Sequence, residues 1–327
     1  MRVRWNRCPG LGALRAASGA LLALLLMMWP GLVHAELRVV ATLPSLAAIA
    51  DAVGGEHVRV VSLASPDQDP HYVDPRPNLV LELNKADLLI VNGLELEASW
   101  LRPILINARN PDILVGARGY FDGSQAVPRL LQVPTVAIDR SMGDIHPGGN
   151  PHYLFDPRAS AAVGRALGAR MAQLDPANAA VYGAQAEAWA SSVEAMAEAE
   201  RGRFAALPAP SHVVVSYHQS FPYLYDWLGL KEIETVEPKP GIPPAPNRVA
   251  QVLSTMRTQQ ARVIVQESYQ PTNVSQTLAG LAKGEVIVIA GGARVAKGQS
   301  YEAHMKEVAD ALYRALQGSG PAPAEAP

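Results

Sequence analysis

The hydrophobic positions of the chain fall into two patterns that take turns. Short β-branched runs, "LRVVA" from Leu37, "HVRVVSLAS" from His57 and "LLIVNG" from Leu88, are separated by segments whose apolar residues recur every three or four places, such as "LPSLAAIADAVGG" and "NLVLELNKAD". The runs have the length and the bounding turn residues of buried strands, and the spaced segments have the period of helices packed on one face. The first helix is predicted to stop at Gly54-Gly55. "ILVG" (Ile113 to Gly116) and "VPTVAID" (Val133 to Asp139) read as further short strands. The pattern then restarts with strands "HVVVSYH" (His212 to His218), "RVIVQES" (Arg262 to Ser268) and "EVIVIAGG" (Glu285 to Gly292). Helical segments lie between them, and "EPKPGIPPAPN" (Glu237 to Asn247) is too rich in proline for helix or central strand. Strands alternating with helices predict an α/β fold with parallel sheets flanked by helices.

Between the two alternating regions runs "DPANAAVYGAQAEAWASSVEAMAEAERGRFAAL", Asp175 to Leu207. Asp175 is placed to cap, Pro176 occupies a first helical position, and alanine is abundant. Tyr182, Trp189, Val193 and Met196 share one helical face. About thirty helical residues at ~1.5 Å each make a rod some 45 Å long, more than a crossover needs. The expected organisation is an N-terminal α/β lobe (36–174), a long linking helix (175–207), a C-terminal α/β lobe (208–317) and a compositionally disordered tail (318–327).

Residues 1–35 read as an address. Arg2, Arg4, Arg7 and Arg15 precede the apolar run "ALLALLLMMW", which is shorter than the ~20 residues a membrane span needs, and Val33 and Ala35 suit a cleavage site before Glu36. This is the pattern of a secretory signal peptide cleaved after Ala35. Its removal takes the formal charge from −2 to −6. A chain this acidic lacks the basic footprint of a nucleic-acid binder. The single cysteine, Cys8, leaves with the signal and lies ahead of the apolar run. The mature chain therefore has no disulfide, no thiolate metal site and no lipid-bearing first cysteine. It is expected to be exported and held by its cores alone.

The chemistry lies in the histidines. "DPHYVDPRP" (Asp69 to Pro77) and "NPHYLFDPRA" (Asn150 to Ala159) are nearly the same loop, each with a histidine between prolines and an Asp-Pro pair expected to start a helix. His71 and His152 thus sit between a strand's carboxyl end and the next helix, where ligands of α/β folds gather. His218 ends a strand at the same side, and Glu267 ends the neighbouring one. Three imidazoles and a carboxylate aimed at one point make a first shell for a divalent cation. Glu267 reads equally as a helix cap or an arginine partner. His146, in "GDIHPGGNPH", reads as an accessory capture ligand or as a surface residue. His212 begins its strand, about 20 Å from His218 at strand rise, and reads as a surface or strand-edge residue. His57 and His304 read as solvated. No phosphate loop, G-x-S-x-G elbow or H-E-x-x-H helix is present.

These histidine loops, with "ADLLIVNGLELEASWL", "LDPANAAVY" and "YHQSFPYLYDWLGL", resemble the periplasmic metal-binding components of zinc and manganese ABC importers, in the family's order and over nearly all of the mature chain. The resemblance implies two α/β lobes joined by one long helix, with the metal in the cleft and His71, His152 and His218 as ligands. It also implies a membrane permease with a cytoplasmic ATPase as partner, a periplasmic location, a monomer, a metallochaperone in some systems, and no enzymatic activity. Many members supply a fourth ligand as an aspartate ahead of the C-terminal helix. Here that loop reads "GGARVAKGQS" (Gly291 to Ser300) and holds no acid, so Glu267 or a water is the substitute. The long His/Asp-rich loop of some zinc members is missing too, which leaves "MGDIHPGG" as the only capture aid. Three nitrogens and one oxygen favour Zn2+ over Mn2+. Two rival readings are an exported zinc hydrolase with Glu267 as general base, and a metal-binding surface adhesin.

Overall fold

A computed structural model describes Met1 and residues 36–136, 145–208, 211–239 and 241–318. The signal segment, the second half of "VPTVAID" and the tail after Gly318 lie outside the described residues. Among the described residues no helix is long and apolar enough to cross a membrane.

Two four-stranded parallel sheets carry the fold. The first, in order β2-β1-β3-β4, contains β1 (Leu37–Ala41), β2 (Val58–Ser62), β3 (Leu88–Val91) and β4 (Tyr120–Asp122). The second, β6-β5-β7-β8, contains β5 (Val213–Ser216), β6 (Lys231–Thr235), β7 (Val263–Glu267) and β8 (Glu285–Ile289). Both sheets follow the same strand order, and every pairing is parallel, so all carboxyl ends within a sheet point one way. Helices α1 (Pro44–Gly54), α2 (Pro77–Asn84) and α3 (Leu101–Ala108) serve the first lobe, and α4 (Pro157–Leu174) leads into the long helix α5 (Ala179–Ala205). The second lobe has α6 (Pro222–Leu228), α7 (Pro246–Gln259), α8 (Asn273–Ala282) and α9 (Tyr301–Gly318).

Strand β3 is a continuous apolar run, and β1 and β7 are apolar apart from Arg38 and the closing Gln266-Glu267, because these strands are covered by helices; Leu88, Leu89, Ile90, Val263, Ile264 and Val265 are all fully buried. Helix α1 ends at Gly54 as its glycines predict, and Gly55 takes a φ of +53°, a backbone state that glycine adopts without a Cβ penalty. The long helix is continuous from Ala179 to Ala205. Tyr182, Trp189 and Val193 are buried on one face, and Met196 packs half-buried against the same core. Gly164 on α4 allows the close approach, since a Cβ there would stand 2.4 Å from the Trp189 ring. On the other side of α5, Trp227 of α6 is fully buried and its indole N–H donates to the Ala197 carbonyl at 2.9 Å. One apolar cluster therefore runs from the first sheet through α4 and α5 to α6 and α9.

Four expectations need correction. "ILVG" is not a strand: Asn110 caps a 3-10 turn at Pro111–Ile113, accepting from the Asp112 N–H while its amide donates to the Leu83 and Ala86 carbonyls, and the strand forms later at Tyr120. Residues 133–136 of "VPTVAID" form no strand. Helix α2 starts at Pro77 behind Arg76, not at Asp74-Pro75, whereas Asp156 does cap α4 by accepting from the Arg158 N–H at 2.8 Å.

The fourth concerns His304, which is not solvated but 2% exposed on the inner face of α9, beside Tyr301, Met305 and Val308. Its Nε2 has no partner among the described residues. Burial, helped by the charge of Arg294, pushes the imidazole down to about 4. An unfolded histidine titrates near ~6.5, so the unfolded chain takes up this proton first and stability falls as pH drops from ~6.5 to ~4, by about 3 kcal/mol. His304→Leu is expected to remove that part of the acid sensitivity. Urea unfolding of both proteins at pH 7 and pH 4.5 would show the stability gap moving in favour of the variant at low pH; a constant gap would exclude His304 as the cause.

Candidate metal centre

The repeated loop is an Asx turn used twice. Asp69 Oδ1 accepts the His71 backbone N–H at 2.9 Å, and Asn150 Oδ1 accepts the His152 backbone N–H at 2.9 Å. Proline between the two presets φ, so each histidine leaves the turn in a fixed direction. The proline carbonyl is also held in both loops: Trp100 Nε1–H donates to Pro70 at 2.9 Å, and Asn92 Nδ2–H to Pro151 at 3.0 Å. Ser99 donates its hydroxyl to the His71 carbonyl. Asn92 is fixed in turn by Glu97, whose buried carboxyl accepts the Asn92 N–H and the Thr42 hydroxyl, each at 2.6 Å.

The tyrosines then diverge. Tyr153 is buried and donates to the Asn92 carbonyl at 2.7 Å, while Tyr72 lies 64% exposed. The His152 loop is further tied to the second lobe: the Asn150 amide donates to the Gln219 carbonyl at 2.8 Å and the Tyr223 hydroxyl to the Asn150 carbonyl at 3.1 Å.

These anchors bring the rings together. Ring centroids lie 5.5 Å apart for His71 and His152, 6.1 Å for His71 and His218, 5.9 Å for His152 and His218, and 5.4 Å for His71 and His146. Two imidazoles bound to one tetrahedral zinc, with Zn–N of about 2.0–2.1 Å, would have centroids ~5.2 Å apart. As they stand, no three donors among the described residues form a finished ligand set. The excess over the tetrahedral spacing is less than about 1 Å, within reach of ring rotation, and the convergence of buried imidazoles outweighs the incomplete closure.

Carboxylates orient two of the rings. His71 Nδ1–H donates to Asp69 Oδ1 at 2.9 Å, and His218 Nδ1–H to Glu237 Oε2 at 2.8 Å. In both, the proton on Nδ1 leaves the Nε2 lone pair for a cation. Burial pulls the His218 imidazole down, but the Glu237 hydrogen bond and charge outweigh it and the net direction is up. Asp69 is raised by burial and lowered further by His71, for a net shift down. His152 is driven well below the ordinary histidine range, first by burial and then by the neighbouring imidazoles, and so presents a neutral ring.

Glu267 ends β7 at 1% exposure. Its Oε2 accepts the Ser220 hydroxyl and, at 2.5 Å, the Tyr269 hydroxyl. Burial pushes its carboxyl up, against the hydrogen bonds and the opposing charges of His218 and His71. His146 is buried beside His71. His57 and His212 stand apart: His57 is half-buried, edge-on to Tyr182, and His212 places Nε2 3.2 Å from the Phe204 carbonyl.

Sequence reading passed over Asp69 and Glu237 as partners of the rings. Asp69 was legible in principle, because Asp and Asn at the same place in the two loops differ in what they offer Nδ1. Glu237 lies 19 residues from His218 in a proline-rich loop and gives no such signal. Glu237→Gln keeps the shape but not the charge, and is expected to weaken zinc binding roughly 10- to 100-fold. Competition against a chromophoric chelator measures this, and an unchanged affinity would remove Glu237 from the site.

Two α/β lobes on a long helix, with converging imidazoles from both, define the class of metal-binding proteins that serve ABC importers. The chain belongs to the ZnuA family, described as zinc-uptake complex component A, periplasmic, whose model matches residues 39–315. It is 26% identical over 282 residues to a putative metal-binding protein of Treponema pallidum, covering 86% of this chain and 87% of the relative. It is 22% identical to the manganese-binding lipoprotein MntA of Halalkalibacterium halodurans, over 86% and 88% of the two chains. The crystal structure of ZnuA superposes with a TM-score of 0.72 at 21% identity, covering 86% of this chain and 100% of the other.

Proposed function

We propose that this protein captures a divalent cation, zinc in preference to manganese, and delivers it to a membrane permease driven by a cytoplasmic ATPase. In this reading residues 1–35 are a signal peptide removed after Ala35, and the mature protein works in the periplasm as a monomer. His71, His152 and His218 bind the cation through ring nitrogens, with Glu267 as the carboxylate closest in kind to the family's acidic fourth ligand. The observation that carries the reading is the convergence of three imidazoles from both lobes, with His71 and His152 buried and the His218 side chain 11% exposed, at centroid spacings of 5.5–6.1 Å.

Imidazole donors suit zinc, and oxygen-rich sets suit manganese. Family membership supports a transporter partner, since the family is described as the periplasmic component A of a zinc-uptake complex. Release requires the two lobes' contributions to separate, because a cation held by His71 and His152 on one side and His218 on the other loses a ligand when either side shifts.

Protein recovered from its own compartment is expected to carry roughly one zinc ion per chain by elemental analysis, as a single tetrahedral site requires, and to choose zinc over manganese in competition. Manganese without zinc would overturn the choice of metal. A protein that retains no metal and takes up none in solution would overturn capture itself.

A further inference from the structure

We infer that His146 completes the site as a fourth imidazole, in place of the carboxylate that the family's pattern supplies; this rests on the capture reading above. His146 Nε2 lies 3.3 Å from His71 Nε2. Two nitrogens on one tetrahedral zinc at about 2.0–2.1 Å stand ~3.3–3.4 Å apart, so this pair already has the spacing of two ligands to one ion. The His71 Nδ1–H is directed to Asp69, and its Nε2 faces His146.

Burial sets His146 apart from its own loop. It is 9% exposed while Ile145, Pro147 and Gly148 around it are exposed. A loop that turns one imidazole inward and leaves an isoleucine 38% exposed is not arranged by hydrophobicity. The turn is held by the Gly149 N–H donating to the His146 carbonyl at 3.2 Å, and by the Asn150 N–H donating to the Leu131 carbonyl at 2.8 Å. The loop therefore hangs on the same Asn150 that fixes His152, six residues along.

The competing donor is less suited. Glu267 is committed to two hydroxyls through Oε2. The loop from Gly291 to Ser300 contains no acid. A shell of nitrogens alone would also sharpen the choice of metal, because each oxygen donor replaced by imidazole disfavours manganese relative to zinc. His146 thus acts as a specificity-determining ligand rather than a surface lure for ions.

The test uses the full chain and His146→Gln, His146→Asp, Glu267→Gln and His152→Ala variants, loaded with Zn2+, Mn2+ or the spectroscopic probe Co2+. His146→Gln should lose more zinc affinity than the roughly 10–100-fold that an outer partner costs, and its Co2+ bands should shift to lower energy as one nitrogen leaves. His146→Asp should restore a four-coordinate Co2+ spectrum while narrowing the preference for zinc over manganese, which a structural role for His146 would not do. Glu267→Gln, which alters the rival fourth donor, should shift the Co2+ bands less than His146→Gln does. Wild-type spectra and affinity in His146→Gln would overturn the inference, as would a spectral change in Glu267→Gln alone. Failure of His152→Ala to affect binding would instead remove the capture reading, so the two outcomes are distinct.

Discussion

Replacement of His152 by alanine is expected to lower zinc affinity by two to three orders of magnitude while the protein stays folded. Four-ligand zinc sites bind with on the order of 10–16 kcal/mol; an even quarter is about 2.5–4 kcal/mol, and each 1.4 kcal/mol is about tenfold. The fold should survive because the turn that carries His152 is built from other groups. Its Asx bond uses the backbone N–H, the Pro151 carbonyl is held by Asn92, and Tyr153 is anchored on the Asn92 carbonyl. Alanine alters none of these. It removes a buried imidazole that already sits uneasily, driven to its neutral form by burial. Chelator competition measures the affinity and urea unfolding the stability. Loss of both would mean that the ring is a structural element, and loss of neither would exclude it from the site.

Trp227→Ala is expected to give the opposite pattern, a loss of about 3–5 kcal/mol of stability with zinc affinity of the folded protein nearly unchanged. The indole is fully buried between α6 and the long helix. Its removal opens a cavity in the core where Tyr223, Leu224, Tyr225 and Leu228 of the same two-turn helix are also buried. Total stabilities of about 5–15 kcal/mol make this a large fraction. The same helix carries Tyr223, whose hydroxyl accepts the Leu131 N–H at 2.8 Å, and Asp226, which pairs with Arg129 at 2.5 Å and Arg158 at 2.8 Å. Those polar ties hold the His152 loop from the side and do not need the indole. The denaturation midpoint should fall sharply, and a midpoint within 1 kcal/mol of the wild type would contradict the packing described for this interface.

Much of this was legible in the chain because burial on both faces writes itself plainly. The strand at Leu88 is apolar without interruption, and those at Leu37 and Val263 are apolar but for Arg38 and the closing Gln266-Glu267. The long helix was legible from its alanines and from one recurrent face. The duplicated D/N-P-H-Y loop pointed to two of the converging rings, and the position of His218, two residues past the end of β5, pointed to the third. What stayed hidden depends on contacts between distant residues. Strand β6, "KEIET", lies at a sheet edge with charge at three of its five positions, and such an edge reads as a loop. The turn at Pro111 is set by Asn110 reaching 24 and 27 residues back, where no local propensity records it. His304 was misjudged because a single histidine in a helical pattern does not say which face it takes. His146 was placed near the site without its partner, since the approach to His71 spans 75 residues.

Zinc-edge anomalous diffraction from crystals of the zinc-loaded protein tests the central claim most directly. The account predicts one strong peak about 2.0–2.1 Å from ring nitrogens of His71, His152 and His218 together. A peak bound elsewhere, with those three rings unligated, would contradict it.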